Sequence, residues 1–168
     1  MAVSVTAPRG FARLGPALRA LLLRVLKGEG RRPGEVAIVL ADDALLRQIN
    51  RDWRAIDRAT DVISFAYDER EPDAATRPVR GDLFISLERV RDQAKRYRVT
   101  PGAELARLVV HGTLHLCGHD NARAEERRRM RAREDAALRG ARAQARALDR
   151  LLATANGVPA VSGSGARR

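Results

Sequence analysis

The sequence has little of what stabilises secreted proteins or anchors membrane proteins. One cysteine in 168 residues cannot form a disulfide within the chain, which favours a reducing, cytoplasmic location. No apolar run approaches the roughly 20 residues that cross a bilayer, because Arg19 and Arg24 interrupt the longest candidate, at 18–26. The first residues lack the apolar core and cleavage site of a secretory signal. We therefore expect a cytoplasmic protein with no membrane partner.

Aromatic residues and histidine are also scarce. Six aromatic side chains leave few platforms on which a nucleobase could stack. The three histidines all lie in the segment HGTLHLCGHDN at 111–121. Such a concentration of a rare, metal-ligating residue indicates a chemical role.

Positive charge, by contrast, is abundant. The formal net charge is +11, which favours a polyanionic partner because each neutralised phosphate releases counterions. The excess is strongest in residues 123–168, where 12 arginines face 5 acidic residues. However, 30 of the 32 basic residues are arginine, and a GC-rich coding sequence would produce the same bias. The charge alone therefore leaves nucleic acid binding and codon bias as alternatives.

Hydrophobic periodicity and capping residues predict a mixed arrangement of helices and strands. The patterns predict helices at 17–27, 43–54, 87–97, 100–118 and 123–138, and strands at 35–40, 61–67 and 81–86. Because these elements do not alternate strictly, we predict a single α+β domain with a small mixed sheet. We place this domain at 1–140, followed at 141–168 by a basic helical extension whose last residues, from 157, form a disordered tail.

The histidine segment has the spacing of a metal site. His111 and His115 lie four residues apart on a predicted helix, so both rings project from one face. Gly118 ends that helix and lets the chain turn back, which places His119, Asp120 and Asn121 near the pair. Three protein ligands and one open position are typical of catalytic zinc. The alternative is that one histidine packs in the core and another caps the helix.

Two neighbouring positions narrow the chemistry of this helix. Cys117 is turned about 200° around the helix from His115, so we interpret it as a packing residue. Position 112 is glycine, where an HExxH metallopeptidase carries its glutamate base. A peptidase would need a base from elsewhere, and it is the weakest of the candidate functions.

The same segment resembles the HGxLHLxGYDH signature of the YbeY family of bacterial metal-dependent endoribonucleases. NRDWRAIDRATDVISF at 50–65 is similar to a second stretch of that family, and RGDLFIS at 80–86 resembles one of its strands. The segment 121–140 is similar to the family's closing helix, with Met130 and Glu134 at matching positions. These stretches occur in family order over about 35–140.

The resemblance implies a zincin-like architecture and one Zn²⁺ per chain, with His111 and His115 as ligands. The family's third histidine falls on Asn121, and a carboxamide is a weaker zinc ligand than imidazole. Three alternatives are open: His119 substitutes as the third ligand, Asp120 or a water completes a weaker site, or catalysis is lost. We predict a metal site at His111, His115 and His119 that binds more weakly than three family histidines would.

The resemblance also implies the function. It predicts a zinc-dependent endoribonuclease that cuts single-stranded RNA in ribosomal RNA maturation and ribosome biogenesis, with Arg54 as the catalytic residue on phosphate. RNA and the ribosome are the expected partners, and DNA is not. Trp53 is the plausible stacking platform. A non-catalytic RNA- or ribosome-binding relative is the alternative, because Asn121 replaces the third histidine.

Overall fold

The computed structural model describes residues 2–55 and 60–164, which contain one four-stranded mixed sheet. Its strands are β1 (Val3–Thr6), β2 (Pro33–Ala41), β3 (Val62–Ala66) and β4 (Val79–Ser86). The order is β1-β2-β4-β3, with β1, β2 and β4 parallel and β3 antiparallel to β4. Strand β3 therefore forms an edge of the sheet.

Six α-helices and a short 3-10 helix at Ala12–Leu14 accompany the sheet in the described part of the chain. The α-helices are α1 (Gly15–Gly28), α2 (Asp43–Arg54), α3 (Leu87–Tyr97), α4 (Pro101–Leu116), α5 (Ala124–Arg139) and α6 (Arg142–Ser164). None of the described helices is long and apolar enough to cross a membrane. The predicted helices and strands are all present, and the α+β class is confirmed.

Helix α4 is the centre of the fold and contacts α1, α3, α5 and α6, as well as β3 and β4. Its start was predicted from Thr100 and Pro101, and the Thr100 side chain accepts a hydrogen bond from the amide of Ala103. The core packs α1 and α4 against the sheet, and α6 packs on α1 and α4. Its largest fully buried side chains include Leu18, Leu21, Leu22, Ile38, Leu83, Ile85, Leu105 and Leu108. Each such side chain stabilises the fold by roughly 1.5–3 kcal/mol.

Strand β1 was not predicted. Its four residues pair in parallel with Val36–Val39 of β2, and a strand so short depends on that distant partner. The Arg19 guanidinium of α1 donates to the carbonyl of Val3 and adds to this anchoring (Nε to O, 3.0 Å).

Helix α6 packs closely on the start of α4. The amide of Gly102 donates to the Asp149 carboxylate at 2.6 Å, and a Cβ on Gly102 would lie 2.5 Å from the Asp149 backbone nitrogen. Leu148 and Leu152 are buried in the core. The helix is assigned to Ser164 and so reaches into the segment predicted as a disordered tail. The division into a domain at 1–140 and an extension stays a prediction.

Candidate metal centre

The histidines of α4 face each other across a short gap. The Nε2 atoms of His111 and His115 are 3.2 Å apart, and the ring centroids are 4.7 Å apart. Both side chains are partly buried. The predicted projection from one helix face is therefore present, and two imidazole nitrogens converge on one point.

The carboxylate of Glu134, from α5, orients His111. Its Oε2 atom lies 2.5 Å from Nδ1 of His111. A carboxylate accepts the Nδ1 proton, which leaves the Nε2 lone pair directed at the gap between the histidines. From the sequence we expected Glu134 to pair with a nearby arginine, so this contact was missed. The match of Glu134 to the family's closing helix was the available signal.

The environment also favours the neutral form of His115. Burial holds the pKa of His115 below its usual value, and the neighbouring His111 acts in the same direction. A neutral imidazole has the free lone pair that a metal ligand needs.

The helix ends as predicted and the chain turns back. Gly118 has φ = +101°, and the amide of His119 donates to the carbonyl of Leu114 at 3.1 Å. Residues with a Cβ rarely adopt such a conformation, so glycine serves this helix end well.

The returning segment, 119–121, makes different contacts. Nε2 of His119 lies 2.6 Å from Oε1 of Glu29, whose other oxygen pairs with Arg133 (Nε, 3.1 Å). The Asp120 carboxylate accepts from the amide of Asn121 at 2.7 Å, and both residues are exposed. In the described part of the chain, no three histidine, cysteine, aspartate or glutamate residues are grouped as a metal site.

The histidines open into a polar cleft of about 580 Å³. It is lined by Arg54, Thr60, Asp61, Val62, Ser64, Phe65, Ala66, Glu69, His111, His115, Gly118, His119, Asp120 and Asn121. The structure thus brings Arg54 and His111, His115 and His119, together with Asp120 and Asn121, to one cleft, which Trp53 does not line. Arg54 is exposed in the last turn of α2.

A hydrogen-bond network around the buried side chain of Glu104 reaches this cleft through Asp61. Glu104, only 2% exposed, accepts two hydrogen bonds from Arg107 and one from Gln93. Gln93 also donates to Asp61 at 3.3 Å. The hydrogen bond from Arg107 to Glu104 raises the pKa of Arg107, and Asp61 and Glu134 add to the effect. Sequence reasoning missed Arg107, although it lies one helical turn before His111.

The packing around Gly112 leaves no room for a glutamate base at this position of the helix. A Cβ at position 112 would lie 2.7 Å from a Leu83 methyl and 3.3 Å from the Ser64 hydroxyl. The backbone of α4 therefore rests directly on β3 and β4 at this point. A longer side chain has no room there, which counts against a metallopeptidase of the HExxH type.

The fold and the cleft define a small single-domain α+β protein with a polar, histidine-lined site. The chain belongs to the endoribonuclease YbeY family, whose family model matches residues 14–142. This confirms the resemblance seen in the sequence and supports an endoribonuclease role.

Individual relatives agree with this assignment. The chain is 41% identical over 145 residues to the endoribonuclease YbeY of Pelotomaculum thermopropionicum, covering 82% of this chain and 95% of that protein. It is 44% identical over 109 residues to that of Desulfitobacterium hafniense, covering 62% and 69%. A solution structure of a Thermotoga maritima protein has the same fold, with a TM-score of 0.62 at 23% identity and coverage of 86% and 92%.

Proposed function

We propose that this protein is a zinc-dependent endoribonuclease that cuts single-stranded RNA during ribosomal RNA maturation. The observation that carries the proposal is the pair of converging Nε2 atoms, 3.2 Å apart, in the cleft that Arg54 also lines. Family membership supports the nuclease role. Zinc, ribosomal RNA and a cytoplasmic location go beyond the family assignment and are part of the proposal.

The residues of the cleft fit a divalent cation. The lowered pKa of His115 favours its neutral form, and Glu134 directs the Nε2 lone pair of His111 toward the same point. The third ligand would come from His119, Asp120 or Asn121. Of these, His119 would bind a metal through Nδ1, because the contact with Glu29 occupies its Nε2 atom.

The charge of the cleft also points to a cation. Its lining includes three carboxylates, Asp61, Glu69 and Asp120, and one guanidinium, that of Arg54. This balance repels a phosphate unless a cation joins Arg54. A zinc ion would supply Lewis acidity, which polarises a phosphoryl oxygen and makes water a stronger acid.

The protein's own residues would do the positioning. The fork of donors on Arg54 suits two oxygens of one phosphate. The Asp61 carboxylate is held by Gln93 and by the amide of Val62, so it forms a fixed rim of the cleft. A splayed single strand could bring a phosphate past this rim more readily than a duplex could.

The test combines metal content with cleavage. The purified protein is dialysed against metal-free buffer and its zinc is measured by elemental mass spectrometry. We expect about one zinc per chain, and cleavage of a single-stranded ribosomal RNA fragment that stops in chelator and returns with zinc. The same sequence annealed to its complement should resist.

Other outcomes discriminate between the candidate functions. RNA that binds with a steep salt dependence but is never cut, with or without added metal, would favour the non-catalytic binding alternative. Cleavage that persists in chelator and in His111→Ala would overturn the metal-dependent mechanism.

A further inference from the structure

A second groove, distinct from the cleft, lies on the sheet face opposite the main core. It has a volume of about 390 Å³ and is lined by Ile49, Trp53, Phe65, Ala66, Tyr67, Asp82 and Phe84. We call it the aromatic groove. It holds four of the six aromatic residues of the chain, in a protein that has few. Such a concentration on one surface is unusual and indicates a binding role.

Backbone geometry assembles these rings. In the antiparallel pair β3–β4, Ile63 lies opposite Phe84 and Phe65 opposite Asp82, so these side chains share one face. Helix α2 adds Ile49 and Trp53, one turn apart on the same side. The Phe65 ring contacts Trp53 and Phe84 edge to face, with centroids 6.3 and 6.0 Å away.

A contribution to the hydrophobic core does not explain the presence of a tryptophan at position 53. Its side chain is 76% exposed, and that of Tyr67 is 51% exposed. The free energy of the hydrophobic effect follows the area removed from water, so an indole this exposed contributes little to folding. Its ring is available to a ligand.

The aromatic groove continues from the nuclease cleft. Phe65 and Ala66 line both, because edge strand β3 separates them. Trp53 lines the groove while its neighbour in the chain, Arg54, lines the cleft. A ligand held at Arg54 can therefore extend directly over Trp53.

The charges around the groove suit a nucleic acid strand. Arg54 lies at the cleft side, and the Arg80 guanidinium sits 5.6 Å from the Tyr67 ring centroid while pairing with Asp68. The Tyr67 hydroxyl donates to Asp82 at 2.5 Å, which fixes the orientation of the ring. Flat rings between cations are how proteins bind single strands with little sequence preference.

We propose that the aromatic groove is a stacking subsite for a nucleobase of the RNA strand whose phosphate lies in the cleft, with Trp53 as the main platform. This inference rests on the proposed nuclease function. The stacking subsite would give the RNA a second point of attachment beside the metal centre. Because every base has a flat face, we expect it to accept bases of any identity. An apolar segment of a protein partner is the competing occupant.

Trp53 is the sole tryptophan, so its fluorescence reports on the groove without a label. The zinc-loaded full chain is mixed with a short single-stranded RNA in a stopped-flow instrument, and the initial amplitude is recorded before cleavage. We expect quenching that saturates with RNA. An abasic nucleotide at one position beside the scissile phosphate should remove the quenching and weaken binding about 5- to 100-fold.

Variants sharpen this test. Trp53→Ala should raise KM by a similar factor and leave kcat nearly unchanged, and Trp53→Phe should restore most of the affinity. The matched control is Tyr97→Ala, because Tyr97 is another exposed aromatic residue (54%) on α3, outside the groove.

The outcomes separate the two proposals. If RNA is bound and cut but neither Trp53→Ala nor any abasic position changes affinity, the stacking subsite is overturned and the nuclease stands. If quenching requires a protein partner and RNA causes none, the groove is a protein-docking surface and the inference is again overturned. If no RNA binds at all, both proposals fail.

Discussion

The two halves of the segment 111–121 are held by different contacts. His111 and His115 face each other within a single helix, at the 3.2 Å separation that their four-residue spacing allows. Residues 119–121 lie beyond the helix end and contact other parts of the chain, namely Glu29, which follows α1, and Arg127 of α5, which donates to the carbonyls of Asn121 and Ala122.

This difference indicates which part of the site can vary. Local helix geometry sets the relative position of two ligands on one helix, so this position is the same whenever the helix forms. A third ligand on a loop depends on several distant contacts, each of which a substitution can alter. Asn121, where the resemblance predicts a histidine, lies in the half that local geometry does not determine.

The largest expected effect is on zinc affinity, and it should differ between the two halves of the segment 111–121. His111→Ala or His115→Ala should lower zinc affinity more than about 100-fold, because each removes a proposed ligand. His119→Ala should lower it less, since this imidazole lies on the loop beyond the helix end and has only Nδ1 free while Nε2 contacts Glu29. Competition with a chromophoric chelator measures all three. An equal loss in His119→Ala would show that His119 is the third ligand.

Glu134 tests whether the helical half needs support from α5. Glu134→Gln should weaken zinc binding about 10- to 100-fold, because the amide no longer holds the Nδ1 proton of His111 as a carboxylate does. In the metal-free protein, ¹⁵N NMR of the imidazole should show the proton on Nδ1 in the wild type and a mixture of tautomers in the variant.

Asp135→Asn is the matched control for that variant, since its exposed carboxylate is adjacent in sequence. It should leave both zinc affinity and the His111 tautomer unchanged. Equal losses in the two variants would assign the effect to overall charge and would refute the orienting role of Glu134.

Asn121 tests the loop half. Asn121→His should raise zinc affinity, by about tenfold or more, if the returning segment can present a third imidazole to the helical pair. Asn121→Gln keeps the carboxamide and should change affinity little. If the histidine variant binds zinc no better than the wild type, position 121 does not matter for the metal.

The smallest expected effect is on stability. Burial lowers the pKa of folded His115, so near its usual value of about 6.5 the unfolded chain takes up a proton that the folded one does not. Stability of the metal-free protein should therefore fall as the pH drops below about 6.5, by at most about 1.4 kcal/mol per pH unit. Urea unfolding should show a flatter dependence in His115→Gln. An unchanged slope would contradict this assignment.

Much of the site could be predicted from the sequence because its signals are local. Helical spacing indicated that His111 and His115 share a face, and Gly118 indicated where α4 stops. The contacts Glu134–His111 and Glu29–His119 could not be predicted, since they join residues 23 and 90 positions apart. The same holds for strand β1, whose four residues have no local signal strong enough to specify pairing with β2.

The sequence by itself therefore determined the helices, the α+β class, the family and the two helical histidines, because periodicity, capping and motif spacing act over a few residues. Tertiary structure decided which carboxylate orients His111, what holds His119, and that Phe65 and Ala66 join the cleft to the aromatic groove. Those features depend on how α1, α2, α5 and the edge of the sheet pack around α4. Such packing is set by long-range contacts that no short stretch of sequence encodes.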